Sequence, residues 1–140
     1  MLAGFKFAGV CLLILGPWNY ELSAADGQKE PMRGVASWYG EAHRGKSMAN
    51  GKRFEPEKPT AASWFFPLGT RVRVTTLEGD QPKRSLIVTV TDRGPAQRFV
   101  AQGRIIDLAE GAFKQLGATD RGLLLVEVEP IVAEEPFSGR

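Results

Sequence analysis

The segment Thr70–Thr76 alternates without a break, with Val72 and Val74 on one face of an extended chain and Arg71 and Arg73 on the other. That period of two specifies a strand with one face in a core and one in water. Glu78-Gly79-Asp80-Gln81-Pro82 marks a turn, and Ser85–Thr91 follows as a β-branched run of the kind that fills a strand buried on both faces. The two segments are expected to pair as a hairpin. Gly34–Tyr39 reads as an earlier strand, and Gly122–Glu129 as a last one, in which Val126 and Val128 alternate with Glu127 and Glu129. Asp107 stands before Leu108, Ala109, Ala112, Phe113 and Leu116 at helical spacing, with Gly117 behind, so a short helix capped by Asp107 is expected there. Gly111 inside it costs about 1 kcal/mol relative to Ala. The sixteen Gly and nine Pro supply many turns. The physical reading is a small closed β structure with one inserted helix, in which closure removes the exposed edges of apolar strands.

At 140 residues the chain holds one domain and a targeting segment. Phe7–Gly16 is an apolar run too short to span a bilayer, and Ser23-Ala24-Ala25 fits a signal-peptidase site, so residues 1–25 read as a signal peptide. Cys11, the one cysteine, lies inside that run with Leu12-Leu13-Ile14-Leu15 continuing beyond it, which argues against lipid anchoring. An exported chain in the periplasm or cell envelope follows, touching membrane only through the signal segment. Residues 26–33 read as a linker, 34–131 as the domain and 132–140 as a flexible tail. The net charge of +2 is not gathered into a Lys/Arg run, which argues against a nucleic-acid partner.

No CxxC, HExxH, Walker-type glycine loop or G-x-S-x-G elbow occurs, so neither metal nor nucleophilic-serine chemistry is expected. His43 reads as a surface loop residue within the long turn-rich stretch 40–59. The most informative segment is Thr89-Val90-Thr91-Asp92-Arg93-Gly94-Pro95, where a carboxylate follows an apolar strand and precedes a Gly-Pro turn. Two readings of Asp92 stand side by side. By the parity of Leu86, Val88 and Val90 it points to a barrel mouth, where partial desolvation suits a general acid. Alternatively it caps the turn by accepting backbone N–H groups, with Arg93 as a solvated ion-pair partner.

Six ordered segments now combine: Gly34-Val-Ala-Ser-Trp-Tyr-Gly40, Ala49-Asn50-Gly51, Thr60-Ala61-Ala62, Pro67-Leu68-Gly69-Thr70, Asp92-Arg93-Gly94-Pro95 and Arg104-Ile105-Ile106-Asp107-Leu108. In order and spacing the chain resembles the rare lipoprotein A family from about Gly34 to Glu129. The resemblance implies a mainly β fold, a small six-stranded double-psi β-barrel with one or two short helices, related to expansins. It implies a lytic transglycosylase that cuts peptide-free peptidoglycan glycan strands to 1,6-anhydro-muramic ends, without a cofactor, as a monomer whose partner is the glycan itself. Asp92 would be the catalytic acid/base. Trp38, Tyr39, Asn50, Lys52, Ser63, Trp64 and Arg93 would line the substrate cleft, with Trp38 and Trp64 divided between sugar stacking and core, and Phe65 and Phe66 in the core. The chain departs from the family at two places, carrying Lys52 for its usual Glu and Ser63 for its usual His. Glu55 and Glu57 are the nearby carboxylates that could replace the Glu. These departures admit a second reading, a non-catalytic, expansin-like glycan-binding module.

Overall fold

The computed structural model describes residues 30–77, 83–117 and 120–132. The signal segment, Cys11, the turn at 78–82 and most of the expected tail lie outside the described residues. Six strands form one closed barrel: β1 (Met32–Tyr39), β2 (Thr60–Ala62), β3 (Arg71–Thr76), β4 (Ser85–Asp92), β5 (Arg104–Ala109) and β6 (Leu124–Pro130), in the spatial order β1-β5-β2-β4-β3-β6. Two short helices, α1 (Gln97–Val100) and α2 (Glu110–Leu116), complete the domain. β1 runs parallel to β5 and β2 parallel to β4, while the other pairings are antiparallel. This is the small, mainly β, six-stranded double-psi barrel that the resemblance implies.

The expected hairpin forms, with Val72 opposite Val88 and Val74 opposite Leu86. Val72, Val74, Val88, Val90, Val126 and Val128 meet in the core, joined by Phe66 and by Ala112, Phe113 and Leu116 of α2. Phe65 packs against that core as a partly buried residue. On the outer face, Arg33 lies opposite Glu127 and Arg73 opposite Glu129, each pair bridged at 2.8 Å. Such exposed cross-strand pairs contribute up to about 1 kcal/mol each.

Three expectations change. β4 is not buried on both faces, since Ile87 keeps 39% of its surface exposed while Val88 and Val90 are buried. β1 starts at Met32, two residues into the expected linker, because Met32 and Arg33 pair with Val128 and Glu127 of β6. Asp107 is no helix cap. It lies inside β5, and α2 starts at Glu110 with Ala109 at its N-cap and no side-chain cap. Parallel pairing with β1 runs through Leu108 and Ala109, so ladder bonds and the burial of Leu108 override the helical spacing of those two residues. The rest of the helix is as expected, ending at Gly117 in the left-handed conformation.

Candidate active site

The site grows from a single row of residues across four neighbouring strands. Ser37 on β1 is the register partner of Asp107 on β5, Asp107 of Ala62 on β2, and Ala62 of Asp92 on β4. At about 4.8 Å per strand step, the Cα atoms of the two aspartates stand about 10 Å apart. A bulge makes the row possible. Ala61 pairs with Val90 but Ala62 pairs with Asp92, so Thr91 is the extra residue of β4. In a regular register Asp92 would follow Val88 and Val90 into the barrel, as its parity suggests. With the bulge it shares the outer face with Ala62 and Asp107 instead.

The two carboxylates meet different surroundings. Asp92 Oδ1 accepts the backbone N–H groups of Ala49 and Arg93, both at 2.8 Å. This is the turn-capping role, and it ties the 46–54 loop to the end of β4. Asp107 is partly buried, its Oδ1 accepts a hydrogen bond from the Ser37 hydroxyl, and Gly94 lies so close above that a Cβ there would stand 3.4 Å from Oδ2. Burial pushes the Asp107 carboxyl above the ordinary Asp value, opposed by the Ser37 hydrogen bond and by the Arg104 and His43 charges.

Tyr39 follows Ser37 by two residues on the same face. Its ring stacks on Phe54 at 4.3 Å and meets the edge of His43 at 5.6 Å. Its hydroxyl is buried without a hydrogen-bond partner among the described residues. Burial, then the charges of Asp92 and of Asp107, push the phenol well above its ordinary range, so it stands as a protonated donor beside both carboxylates.

The 46–54 loop is folded by its own bonds. Met48 N donates to Lys52 O at 2.8 Å, Gly51 N to Met48 O at 2.9 Å and Asn50 N to Thr91 O at 3.1 Å. Gly51 has φ of 84°, which a side chain rarely adopts. Met48 and Phe54 are buried with Ala109 against Tyr39, forming a small second core beneath the loop. Asn50 Oδ1 accepts Lys52 N at 3.0 Å, and the Lys52 ammonium makes no ion pair among the described residues. Glu55 pairs with Lys58, and Glu57 with Arg44.

Trp64 is 47% exposed, with its Nε1 donating to Pro95 O at 2.8 Å, which sets the ring beside the Asp92–Pro95 turn. Trp38 is 36% exposed and lines a hollow with Tyr39, Gly40, His43 and Glu110. Two expected cleft residues are engaged by backbone groups. Ser63 is 0% exposed, donating to Ile105 O at 2.9 Å and accepting from Phe65 N. Arg93 donates to the Ser63 and Phe66 carbonyls, both at 2.7 Å, and so braces the turn carrying Trp64 instead of pairing with Asp92. Asp107 and Ser37 are the residues that sequence reasoning missed. The available signal was a carboxylate set among Ile105, Ile106 and Leu108, which in an extended chain falls on the side away from Ile106 and Leu108.

Residues 32–128 match the family described as lytic transglycolase. The chain belongs to the lytic transglycolase family. It is 40% identical over 84% of its length to the "Endolytic peptidoglycan transglycosylase RlpA" of Pseudomonas aeruginosa (strain UCBPP-PA14), covering 32% of that protein. It is 43% identical to the "Probable endolytic peptidoglycan transglycosylase RlpA" of Synechocystis sp. (strain ATCC 27184 / PCC 6803 / Kazusa), over 64% of this chain and 26% of that protein. The chain thus spans about a quarter to a third of the length of these relatives. Among solved structures, a "Streptomyces papain inhibitor (SPI)" superposes with a TM-score of 0.56 at 22% identity, covering 76% of this chain and 98% of the other, a likeness of fold. Both aspartates, Tyr39 and the whole 46–54 loop fall inside the span matched by the lytic transglycolase family.

Proposed function

We propose that this domain is an endolytic transglycosylase of the cell envelope that cuts peptide-free peptidoglycan strands, with Asp107 as its acid/base and Asp92 as the charge beside it. The observation that carries this reading is the row Ser37–Asp107–Ala62–Asp92, in which one carboxyl is desolvated and the other is held by two N–H groups. A carboxyl raised by burial keeps its proton closer to neutral pH, as a general acid requires. Asp107 gives that proton to the glycosidic oxygen as the bond to the muramic anomeric carbon breaks. The C6 hydroxyl of the same muramic ring then bonds to that carbon and returns its proton to Asp107. No water is consumed, so the second carboxyl that hydrolases use to activate water is not required. Asp92 faces the positive charge that develops on the anomeric carbon, and the buried Tyr39 hydroxyl stands as a protonated neighbour of both carboxylates. Trp64 exposes its ring beside the Asp92–Pro95 turn and Trp38 part of its ring at the end of β1, surfaces on which a sugar can stack, while Asn50 and Lys52 sit on the loop that Asp92 ties down. Export through residues 1–25 would bring the domain to this substrate.

The test is incubation of the purified chain with peptide-free strands and mass spectrometry of the soluble products. Anhydro-muramic ends are expected. Their absence, despite pull-down on the same strands, would overturn the catalytic reading in favour of a binding module.

A further inference from the structure

A groove of about 740 Å³ opens beside the carboxylates, between the 46–54 loop and the outer surface of β4. Thr89 and Thr91 lie along β4, Leu68 forms part of the far side, and Asn50, Lys52 and Arg53 come from the loop. Neither aspartate lines it, but it borders the row described above, since its lining residue Thr91 precedes Asp92 and the Asn50 N–H is bonded to the Thr91 carbonyl.

The polar groups facing the groove are mainly donors. Asn50 Oδ1 is used by Lys52 N–H, which leaves the amide NH₂ as a donor with no hydrogen bond among the described residues. Lys52 holds a charge with no ion-pair partner among the described residues, and Arg53 spends one N–H on Gly45 O at 3.1 Å and keeps the rest. The carboxylate of Glu55 is already paired with Lys58. A groove with two cations, an amide donor and a neutralised acid suits an anion carried on a sugar chain.

Resting on the transglycosylase reading, we infer that this groove binds the free lactyl carboxylate of muramic acid and so selects strands from which the peptide has been removed. In an intact strand that carboxyl is tied up as a neutral amide to the peptide. Amide hydrolysis releases one carboxylate per muramic residue, and Lys52 with Arg53 read this new charge. The preference for peptide-free glycan then arises from attraction to the exposed anion as well as from room for a bare strand.

The experiment compares peptide-free strands with the same strands after carbodiimide coupling of their lactyl carboxylates to methylamine, which restores a neutral amide without adding a peptide. Binding of the whole chain is measured by co-sedimentation at low and moderate salt, and anhydro ends are scored in parallel. The free-carboxylate form should bind about three- to tenfold tighter, the range expected for one or two partly exposed charge pairs. The preference should shrink with added salt. Lys52→Gln should lessen it and Lys52→Gln with Arg53→Gln abolish it, with the thermal unfolding of both variants recorded to confirm the fold. Equal binding of the two strand forms, or a double variant that keeps the preference, overturns the inference. Failure to form anhydro ends from either strand overturns the catalytic reading alone, and failure to bind either strand overturns both.

Discussion

Asp92 accepts two backbone N–H groups at 2.8 Å, and this clasp sets the scale of what its removal costs. A hydrogen bond to a charged group contributes about 1.5–3 kcal/mol, and a buried donor left without a partner costs a similar amount. Ala49 lies on an exposed loop, where water replaces the lost oxygen, so its bond counts at the low end. Asp92→Ala should therefore lose about 2–3 kcal/mol, and for a domain of this size that lowers Tm by about 10–20 °C. Asp92→Asn keeps an oxygen acceptor in place and gives up only the charge, a cost of about 1 kcal/mol. The expected order of stability is wild type, Asn, then Ala, read by urea denaturation with an unchanged m-value. Turnover separates the structural from the chemical role: Asp92→Asn should still bind strands while forming anhydro ends about a hundredfold more slowly, the scale for removing one electrostatic stabiliser of a transition state. An Ala variant within about 0.5 kcal/mol of wild type would refute the clasp, since surface changes fall in that range. Full turnover in the Asn variant would refute the role of the charge.

Asp107→Asn should abolish anhydro products while leaving strand binding in place, and it should also flatten part of the stability–pH curve. The folded carboxyl titrates above 3.8, so between that value and its folded pKa the native state holds a proton that the unfolded chain has lost, and wild-type stability falls as pH rises through this window. Chemical denaturation from pH 3 upward checks this, and a variant with the wild-type slope would count against it. Spectrophotometric titration of the tyrosines should leave Tyr39 protonated after an ordinary phenol has ionised, and ionisation of every tyrosine near pH 10 would contradict the burial described. Phe54→Ala, which removes the ring stacked on Tyr39, should cost about 3–5 kcal/mol and make that phenol easier to ionise. Gly111→Ala should destabilise by about 1 kcal/mol despite the gain in helix propensity, because the added Cβ would stand 3.1 Å from Pro56 O and 3.2 Å from both Cα and O of Glu57. A rise in Tm would refute that account.

Much of the barrel was legible because its longer antiparallel strands carry a period of two. β3, β6 and the hairpin with β4 follow from alternation, and Phe113 and Leu116 from the helical spacing ahead of Gly117. β2 was not legible as a strand, because three residues cannot show a period and its place depends on β4 and β5 on either side. β5 carries the pattern of a helix start, since Leu108, Ala112 and Phe113 fit that spacing, while the competing parallel ladder to β1 joins residues far apart in sequence. The site divided along the same line. Asp92 was found from its position at the end of an apolar strand before Gly-Pro. Its orientation was not, because the bulge at Thr91 is a property of the pairing with β2. In sequence Asp107 shows only a local capping role, because its burial comes from Gly94, Ser37 and the strands around them.

The division of work between the two aspartates therefore belongs to register more than to residue type. Both project from the same row, one on each side of Ala62, and both act on the Tyr39 phenol. The chain supplies two N–H donors to Asp92, one from Ala49 on the 46–54 loop that crosses the end of β4 and one from Arg93 next in sequence. It supplies mainly burial to Asp107, with Ser37 as a hydroxyl donor and Gly94 packed above. Asp107 thereby sits in surroundings that favour its protonated form, while Asp92 serves as the acceptor of two backbone N–H groups. The family's usual Glu and His are absent from this arrangement, and Lys52 and Ser63 do not take over their chemistry: Ser63 points into the protein and Lys52 offers a cation. Under the transglycosylase reading proposed above, acid–base work falls to the pair on the strands, held by the barrel itself.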